Sequence, residues 1–410
     1  MAEMFHRPVE PEPVSTGVGT GPPASVGPPA IPRLIPTCGR TVSLDSKEET
    51  TLSSKHQHKS INRLMLTGIS IISAGLSAVP AIADQRELEE VIITATLMDN
   101  DVSRISATTL TDRDMYARGA AHFEDLLSLV PNISASSGAS RQRFFQIRGI
   151  GERSQFIEPI NPSVVLLQDG VDISGLGGAL TNFDTAQIDI LRGPQGAIMG
   201  AGALAGLISV ETTTPSAATE LNVAMGLENY GGRRLEVSGN TPITPALSAR
   251  IAHQRYESDG WVKNTHLGVN DTNNRDEQTT RVALRHVADA NTVDIKLNKI
   301  DVDNGYDAFS LDNTRETLSD QPGKDSLDMT SMLVRWNRVG ERFTSTVQVS
   351  DVDADAIYSY DEDWSFVGIR PFWEYSSFDQ YTRDIERSTF EWRLSPSTTE
   401  SLDWVVGVYS

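Results

Sequence analysis

Residues 191–210 form a glycine-rich run, LRGPQGAIMGAGALAGLISV. Five glycines fall within fourteen residues, at positions 193, 196, 200, 202 and 206. Such small residues let backbones approach closely and turn sharply. Ile188 and Ile190 precede the run, and the apolar segment Leu207–Val210 closes it. The run therefore predicts two short strands joined by a compact turn with little side-chain bulk.

Two binding motifs are only loosely matched. Gly200, Gly202 and Ala205 fit a dinucleotide-binding loop, but that fingerprint must open a helix, and residues 207–213 have the character of a strand. The acidic segment 301–307 is similar to a calcium loop, with its glycine one place early for an EF-hand. We therefore predict no catalytic residues and no cofactor or resident metal, and a loop calcium site stays an open alternative.

A second sequence pattern begins near residue 216, where apolar and polar residues alternate. The period of two indicates strands with two different faces. It is clearest in Leu221–Leu227, Leu247–Ile251, Val293–Leu297 and Val347–Val349. Short turns are predicted at Asn240–Thr244 and Val287–Thr292, and long polar loops at Asp259–Glu277, Asp303–Lys324 and Asp351–Asp379. Short turns at one end and long loops at the other are typical of transmembrane β-barrels.

The N-terminal 101 residues divide into three segments. Residues 1–58 hold nine of the twenty prolines and predict a disordered extension. Residues 59–83 combine a basic start, sixteen apolar or small residues and a small-x-small site ending at Ala83, which predicts a secretory signal peptide. Residues 84–101 are polar around one β-branched stretch, Val91–Ile93.

Composition excludes several classes of protein. The net charge of -20 argues against a nucleic-acid partner, which would require a basic face. No apolar run reaches the 18 residues of a transmembrane helix. Cys38 is the single cysteine, so a disulfide framework and a multi-cysteine zinc site are both excluded.

Five segments in order, between Glu89 and Thr213, resemble the N-terminal part of TonB-dependent outer-membrane receptors. They are EEVIITAT, TLTDRDMYARGAAHFEDLLSLVPNIS, FFQIRGIG, VVLLQDGVDIS and the LRGPQG run. The resemblance implies an α+β plug domain over residues 102–215, followed by antiparallel transmembrane β-barrel strands over residues 216–410. Within the plug, apolar residues at helical spacing predict a helix over His122–Leu129.

The resemblance also implies a TonB box, the segment that TonB grasps. It covers seven consecutive residues, Glu89, Glu90, Val91, Ile92, Ile93, Thr94 and Ala95. Its β-branched centre favours extended structure, and an extended segment can add itself as a strand to a partner's sheet edge. The alternative is that these residues are simply the first strand of the plug.

The plug motifs carry the remaining candidate site residues. They are Arg148, Gly149, Asp169, Gly170, Arg192, Gly193, Pro194, Gly196 and Gly200. The resemblance implies that Arg148 and Arg192 lie inside the barrel and meet carboxylates of its wall, which would dock the plug. Their alternative role is that of solvated turn arginines. Residues 199 and 201 depart from the family pattern, being Met and Ala.

The family's activity is uptake rather than enzyme catalysis. The resemblance implies that extracellular loops and outward-pointing plug loops bind a scarce ligand, most commonly a ferric siderophore. It places Arg141 and Arg143 in contact with that ligand, and the alternative is that both are solvated loop charges. It also implies two partners besides that ligand, namely outer-membrane lipid and the C-terminal domain of TonB with the inner-membrane energising complex. The alternative function is that of a soluble β-rich periplasmic or extracellular binding protein.

The predicted barrel is incomplete. We count about nine strands after the plug, whereas a barrel that houses a plug needs roughly 22. An open sheet in lipid would leave backbone groups unpaired. We therefore expect this sequence to be the N-terminal part of a longer receptor.

Overall fold

The structure is a computed structural model, and it describes residues 106–136, 140–154, 156–196, 202–397 and 404–410. These residues belong to one compact unit, Arg86–Ser410. The predicted N-terminal extension, signal peptide and TonB box (Glu89–Ala95) lie outside the described residues, and so does Gly200.

The first part of the described chain is an α+β unit, called the plug below, built on a five-stranded sheet in the order β1-β6-β7-β4-β5. Strands β4 and β7 are parallel, and the other neighbours in this sheet are antiparallel. A separate antiparallel pair joins β2 to β3. The strands are β1 Ser106–Thr111, β2 Ile133–Ala135, β3 Phe145–Ile147, β4 Val164–Gln168, β5 Val171–Asp172, β6 Thr185–Arg192 and β7 Gly206–Thr212.

Helices cover one end of this sheet. Helix α1, Asp112–Arg118, starts at a capping box in which the Thr111 amide donates to Asp114 Oδ2 at 2.9 Å, and it ends at Gly119 in the left-handed conformation. The helix predicted at His122–Leu129 is a 3₁₀ helix over Phe123–Leu129. It buries Phe123 and Leu126 in the plug core.

The second part is an antiparallel nine-stranded sheet, called the wall below, in the order β18-β17-β16-β15-β13-β12-β10-β9-β8. Within the described residues it is open, with β8 and β18 at its edges. The fold class is thus confirmed: an α+β plug precedes an incomplete antiparallel barrel wall. The wall strands are β8 Glu220–Leu227, β9 Arg233–Thr244, β10 Leu247–Ser258, β12 Arg275–Ala288, β13 Asn291–Tyr306, β15 Gly323–Val339, β16 Phe343–Asp361, β17 Phe378–Pro396 and β18 Val406–Tyr409.

The wall has two unlike ends. Turns of two or three residues, at 245–246, 289–290 and 340–342, join strands at one end, and segments 259–274, 307–322 and 362–377 join them at the other. Short strands β11 (Lys263–Asn264) and β14 (Glu316–Thr317) tie two of these long segments together. We call the part of the wall near the short turns the turn half and the other part the loop half. No described helix has the length and apolar character needed to cross a membrane.

Two predicted connections are wrong. Asn240–Thr244 belongs to β9, and the turn follows it at residues 245–246. Asp351–Asp361 is not loop but the second half of β16. The aspartates at positions 351, 353 and 355 look like loop residues in sequence, yet they lie together on the exposed face, while Val352 and Ala354 on the other face are buried.

A single apolar core joins plug and wall. On the plug side it contains Ile173, Leu176 and Ala179, and on the wall side it includes loop-half residues that point inward. These wall residues are Ile300, Val302, Leu327, Met329, Val352 and Ala354. These six wall residues, called the apolar ring below, pack against the plug core, and polar contacts between plug and wall lie on either side of them.

Candidate functional site: the plug–wall contact

The tight turn between β4 and β5 contacts the inner face of the turn half. Asp169 and Gly170 both have positive φ, 54° and 83°, as a two-residue hairpin turn of the Asp-Gly type requires. The Lys296 ammonium donates to Asp169 Oδ1 at 2.5 Å, and Gln348 Nε2 donates to the Gly170 carbonyl at 3.0 Å. A Cβ at position 170 would lie 2.8 Å from Arg335 Nη2, so glycine is what fits between turn and wall.

The charge on Asp169 is stabilised by the wall. Burial alone would raise its pKa, but the Lys296 charge and hydrogen bonds from Lys296 and Thr212 hold the pKa of Asp169 below its usual range. Glu211 lies beside this pair on β7. Burial, together with the neighbouring Asp169 charge, raises the pKa of Glu211 to about 7. One carboxylate of this contact is therefore committed to a wall cation, while the other titrates near neutrality.

A second ion pair of the turn half joins Asp184 to Arg250. Nε of Arg250 lies 3.1 Å from both carboxylate oxygens, and Nη2 lies 2.5 Å from Oδ1. Both side chains are nearly inaccessible, at 6% and 5% exposure. A buried pair of this kind costs about 3–5 kcal/mol when one partner is removed, because the other charge is left unpaired. It therefore fixes the position of the plug.

In the loop half, the main ion pair has its cation on the plug and its carboxylate on the wall, the reverse of the turn half. Arg141 of the plug donates to both carboxylate oxygens of Glu277 on β12, each at 2.7 Å, and to Glu124 of the plug at 2.9 Å. Asp325 on β15 accepts from the Ser140 amide and hydroxyl, both at 2.6 Å. The plug is thus fastened by polar contacts on both sides of the apolar ring.

Two further plug acids meet arginines of β17. Arg387 Nη1 lies 3.2 Å from Asp172 Oδ1, and Arg383 pairs with Glu158. Arg143 also donates to Glu158, at 3.2 Å, and to the Gly175 carbonyl at 3.1 Å. Most plug–wall ion pairs therefore have the carboxylate on the plug and the cation on the wall.

This arrangement corrects the predicted roles of Arg148 and Arg192. Arg148 is exposed with φ 53°, and neither arginine has a carboxylate partner among the described residues. Arg192 donates to Thr108 Oγ1 at 2.6 Å and to the Ala107 carbonyl at 3.0 Å. It therefore fastens β1 to β6 within the plug.

The predicted ligand contacts at Arg141 and Arg143 are also corrected. Both guanidiniums are largely buried, at 11% and 9% side-chain exposure, and both are engaged by carboxylates. They hold the plug in place instead of facing an open binding surface. The sequence analysis did not identify the wall cations Arg250 and Lys296. Their signal in the sequence is alternation, because each stands at an inward position of a strand next to an apolar outward residue, Ile251 or Leu297.

The other motif residues have conformational roles. Gly149 and Gly193 adopt φ 79° and 120°, Pro194 is exposed, and Gly196 packs near the Gly202 carbonyl. Throughout the described ranges, no three His, Cys, Asp or Glu side chains are placed to hold a metal ion.

Aromatic side chains line the inner surface at the end of the loop half. Phe156, at the tip of a plug loop and 50% exposed, lies 4.8 Å from the Tyr381 ring and 6.4 Å from the Tyr358 ring. Tyr358 also neighbours Tyr306, at 5.1 Å between ring centroids. Phe156 is therefore the half-exposed member of an aromatic cluster in which the wall rings of Tyr358 and Tyr306 are buried.

Comparison with known proteins agrees with this geometry. Residues 100–207 match the family model of the TonB-dependent receptor plug domain. The pesticin receptor of Yersinia pestis is 23% identical over 235 residues, which are 55% of this chain and 34% of that receptor. The vitamin B12 transporter BtuB of Vibrio vulnificus is 23% identical over 277 residues, which are 65% of this chain and 43% of that transporter.

Solved structures share the fold. The ferric yersiniabactin uptake receptor FyuA of Yersinia pestis superposes with a TM-score of 0.64 at 18% identity, over 74% of this chain and 48% of that one. The ferric-catecholate import receptor Fiu of E. coli K12 gives a TM-score of 0.56 at 15% identity, over the same shares of each chain. This chain spans less than half the length of these four proteins.

These relatives are receptors and transporters, not enzymes. Residues 100–207 thus match the plug domain of TonB-dependent receptors, and the incomplete barrel wall that follows shares the fold of solved receptors of this kind.

Proposed function

We propose that this chain takes part in active, TonB-coupled uptake of a ferric siderophore across the outer membrane. The observation that carries the proposal is a plug held against the wall by buried ion pairs in both halves, with the aromatic cluster around Phe156 in the loop half. A plug fastened in this way blocks passage until it is moved. Several neighbours in fold are named for ferric siderophores, which supports the choice of cargo.

Ligand binding is proposed at the aromatic surface around Phe156. Aromatic rings give large contact areas with little conformational entropy to lose, which suits contact with a bulky ferric chelate. In the receptor, Phe156→Ala and Tyr381→Ala should each weaken ferric-siderophore binding about tenfold, measured by quenching of intrinsic fluorescence. Phe390→Ala, on the outer face of the turn half, is the matched control. Unchanged affinity in both test variants would remove this surface from the site.

Coupling is proposed through Glu89–Ala95, which would add a strand to the C-terminal domain of TonB. In the described chain, the first strand after this segment is β1, which has one strand neighbour, β6, and is fastened by Arg192. A pull on the N-terminal side would thus reach β1 first.

Ile92→Pro tests this coupling, because proline removes a backbone donor from the paired strand. Uptake of radiolabelled ferric siderophore should be lost while binding to whole cells is kept, and Ile92→Val should retain both. Uptake that survives Ile92→Pro would show that Glu89–Ala95 is not the coupling segment.

A further inference from the structure

A small polar cavity lies between the plug and the turn half of the wall. Its volume is about 20 Å³. Asp169 and Asp184 line it from the plug, and Arg250, Arg281 and Lys296 line it from three neighbouring wall strands. A single water-sized sphere needs about 10–15 Å³ of such volume, so the cavity accommodates one water molecule or one monoatomic ion and is too small for a polyatomic anion such as sulfate.

Arg281 is the side chain that makes this cavity unusual. It stands at an inward position of β12 and is 6% exposed. Its Nη1 donates to the Phe183 carbonyl of the plug. Its Nε and Nη2 are buried, and no acceptor among the described residues reaches them. Two strong donors of one guanidinium thus remain unsatisfied at the plug–wall contact.

The local charge balance points the same way. Each carboxylate lining the cavity already has a cation, since Lys296 pairs with Asp169 and Arg250 pairs with Asp184. Arg250 also lies 3.7 Å from Glu220, a half-exposed carboxylate that does not line the cavity. Arg281 is the third cation, and no carboxylate of the described residues forms an ion pair with it. Glu211 and Arg335 stand next to the Asp169–Lys296 pair and oppose each other in charge. Because burying an uncompensated charge is expensive, the site favours an acceptor that carries a negative charge.

We propose that the cavity binds a monoatomic anion of the size of chloride, held by Nε and Nη2 of Arg281. The anion neutralises the third cation and satisfies both donors at once. Asp184 and Thr212 of the plug border the same space as the wall cations, so the anion joins the two parts of the molecule. It is an additional fastening of the plug, and the assignment holds whatever cargo the receptor carries.

Bromide provides a direct test, because its anomalous scattering distinguishes it from water. Crystals of the receptor grown in sodium bromide should show an anomalous peak within hydrogen-bond distance of Arg281 Nε and Nη2. Density without anomalous signal, which identifies water alone, overturns the proposal. This measurement uses the wild-type protein and does not depend on any variant folding.

A second measurement examines the contribution to stability. The midpoint of thermal unfolding should rise and saturate with added chloride, compared with gluconate at equal ionic strength, because a ligand that binds the folded state stabilises it. Arg281→Gln should abolish this difference. Arg285→Gln is the matched control, since Arg285 follows on the same strand but pairs with Asp294. Equal chloride dependence in wild type and Arg281→Gln overturns the proposal.

Discussion

In the turn half of the wall, the outward positions of β13 hold Val293, Ile295 and Leu297, whereas in the loop half they hold Lys299, Asp301 and Asp303. The inward positions change in the opposite sense, from Lys296 and other polar residues to Ile300 and Val302. In strands β15 and β16, the apolar residues move from the outer to the inner face at positions that align across the sheet with this part of β13. Within one strand, the apolar side chains therefore lie on the outer face in the turn half and on the inner face in the loop half.

This exchange shows where each environment lies. An outward apolar surface is what the hydrocarbon of a bilayer requires, so the lipid contact belongs to the turn half. An inward apolar surface is what the plug core requires, so the apolar ring belongs to the loop half. Charged residues face the plug in the turn half because they hold its acidic turns. The wall residues that pack on the plug core therefore lie mostly nearer the long loops than the outward apolar surface does.

The largest expected effect comes from comparing two lysines of β13, one on each face. Lys296→Met leaves the Asp169 carboxylate buried and unpaired and should lower the free energy of unfolding by about 3–5 kcal/mol. Lys299→Met removes an exposed pair with Asp328 and should cost about 0–1 kcal/mol. Urea unfolding in lipid vesicles, followed by tryptophan fluorescence, measures both. Adding Asp169→Asn to Lys296→Met should recover part of the loss, and equal effects of the two single variants would contradict the comparison.

The outer surface gives the next largest contrast. Ile295→Lys places a charge on the lipid-facing part of the turn half and should cost about 2–4 kcal/mol in vesicles. Thr330→Lys, an outward position of the loop half, should change stability by less than about 0.5 kcal/mol. The same urea titration compares them. If Thr330→Lys is as costly as Ile295→Lys, the lipid contact extends into the loop half.

The pH dependence of the turn-half contact offers a third test. The pKa of Glu211 is about 7 in the folded chain, above its usual 4.5, so the folded state holds this proton more tightly. Its contribution to stability is therefore full below pH 4.5 and is lost as the pH rises through 7. Glu211→Gln should match wild type near pH 4.5 and exceed it above pH 7, by up to about 3 kcal/mol. Unfolding midpoints at both pH values check this, and a difference independent of pH would contradict it.

The sequence predicts the plug better than its contact with the wall. Val164–Leu167 is a continuous apolar run and Leu207–Val210 is apolar except for one serine, and both lie in buried strands of the plug sheet. The partners of Asp169 and Asp184 could not be read from one sequence, because Lys296 lies 127 residues from Asp169 and Arg250 lies 66 residues from Asp184. Arg148 and Arg192 were assigned to the wall by resemblance alone, and the described wall offers them no carboxylate.

The error at Asp351–Asp361 has a different origin. A run of alternating aspartates has the composition of a loop, and strand propensity disfavours aspartate. The structure makes it a strand because Val352 and Ala354 pack on the plug core. The alternation of apolar and polar residues therefore predicts this strand better than residue composition does, although the apolar residues lie on the outer face before residue 350 and on the inner face after it.

The smallest expected effect concerns the outward face of the loop half. Asp301, Asp328, Asp355 and Asp384 stand directly opposite one another across four neighbouring strands. Like charges opposite each other destabilise a sheet by about 0.2–1 kcal/mol per pair. Lys299 relieves Asp328, but Asp355 stands between two carboxylates. Asp355→Asn should therefore raise the free energy of unfolding by about that amount, more at low salt than at high salt, because salt screens exposed charges. A gain that does not shrink with added salt would mean that repulsion along this row is not its source.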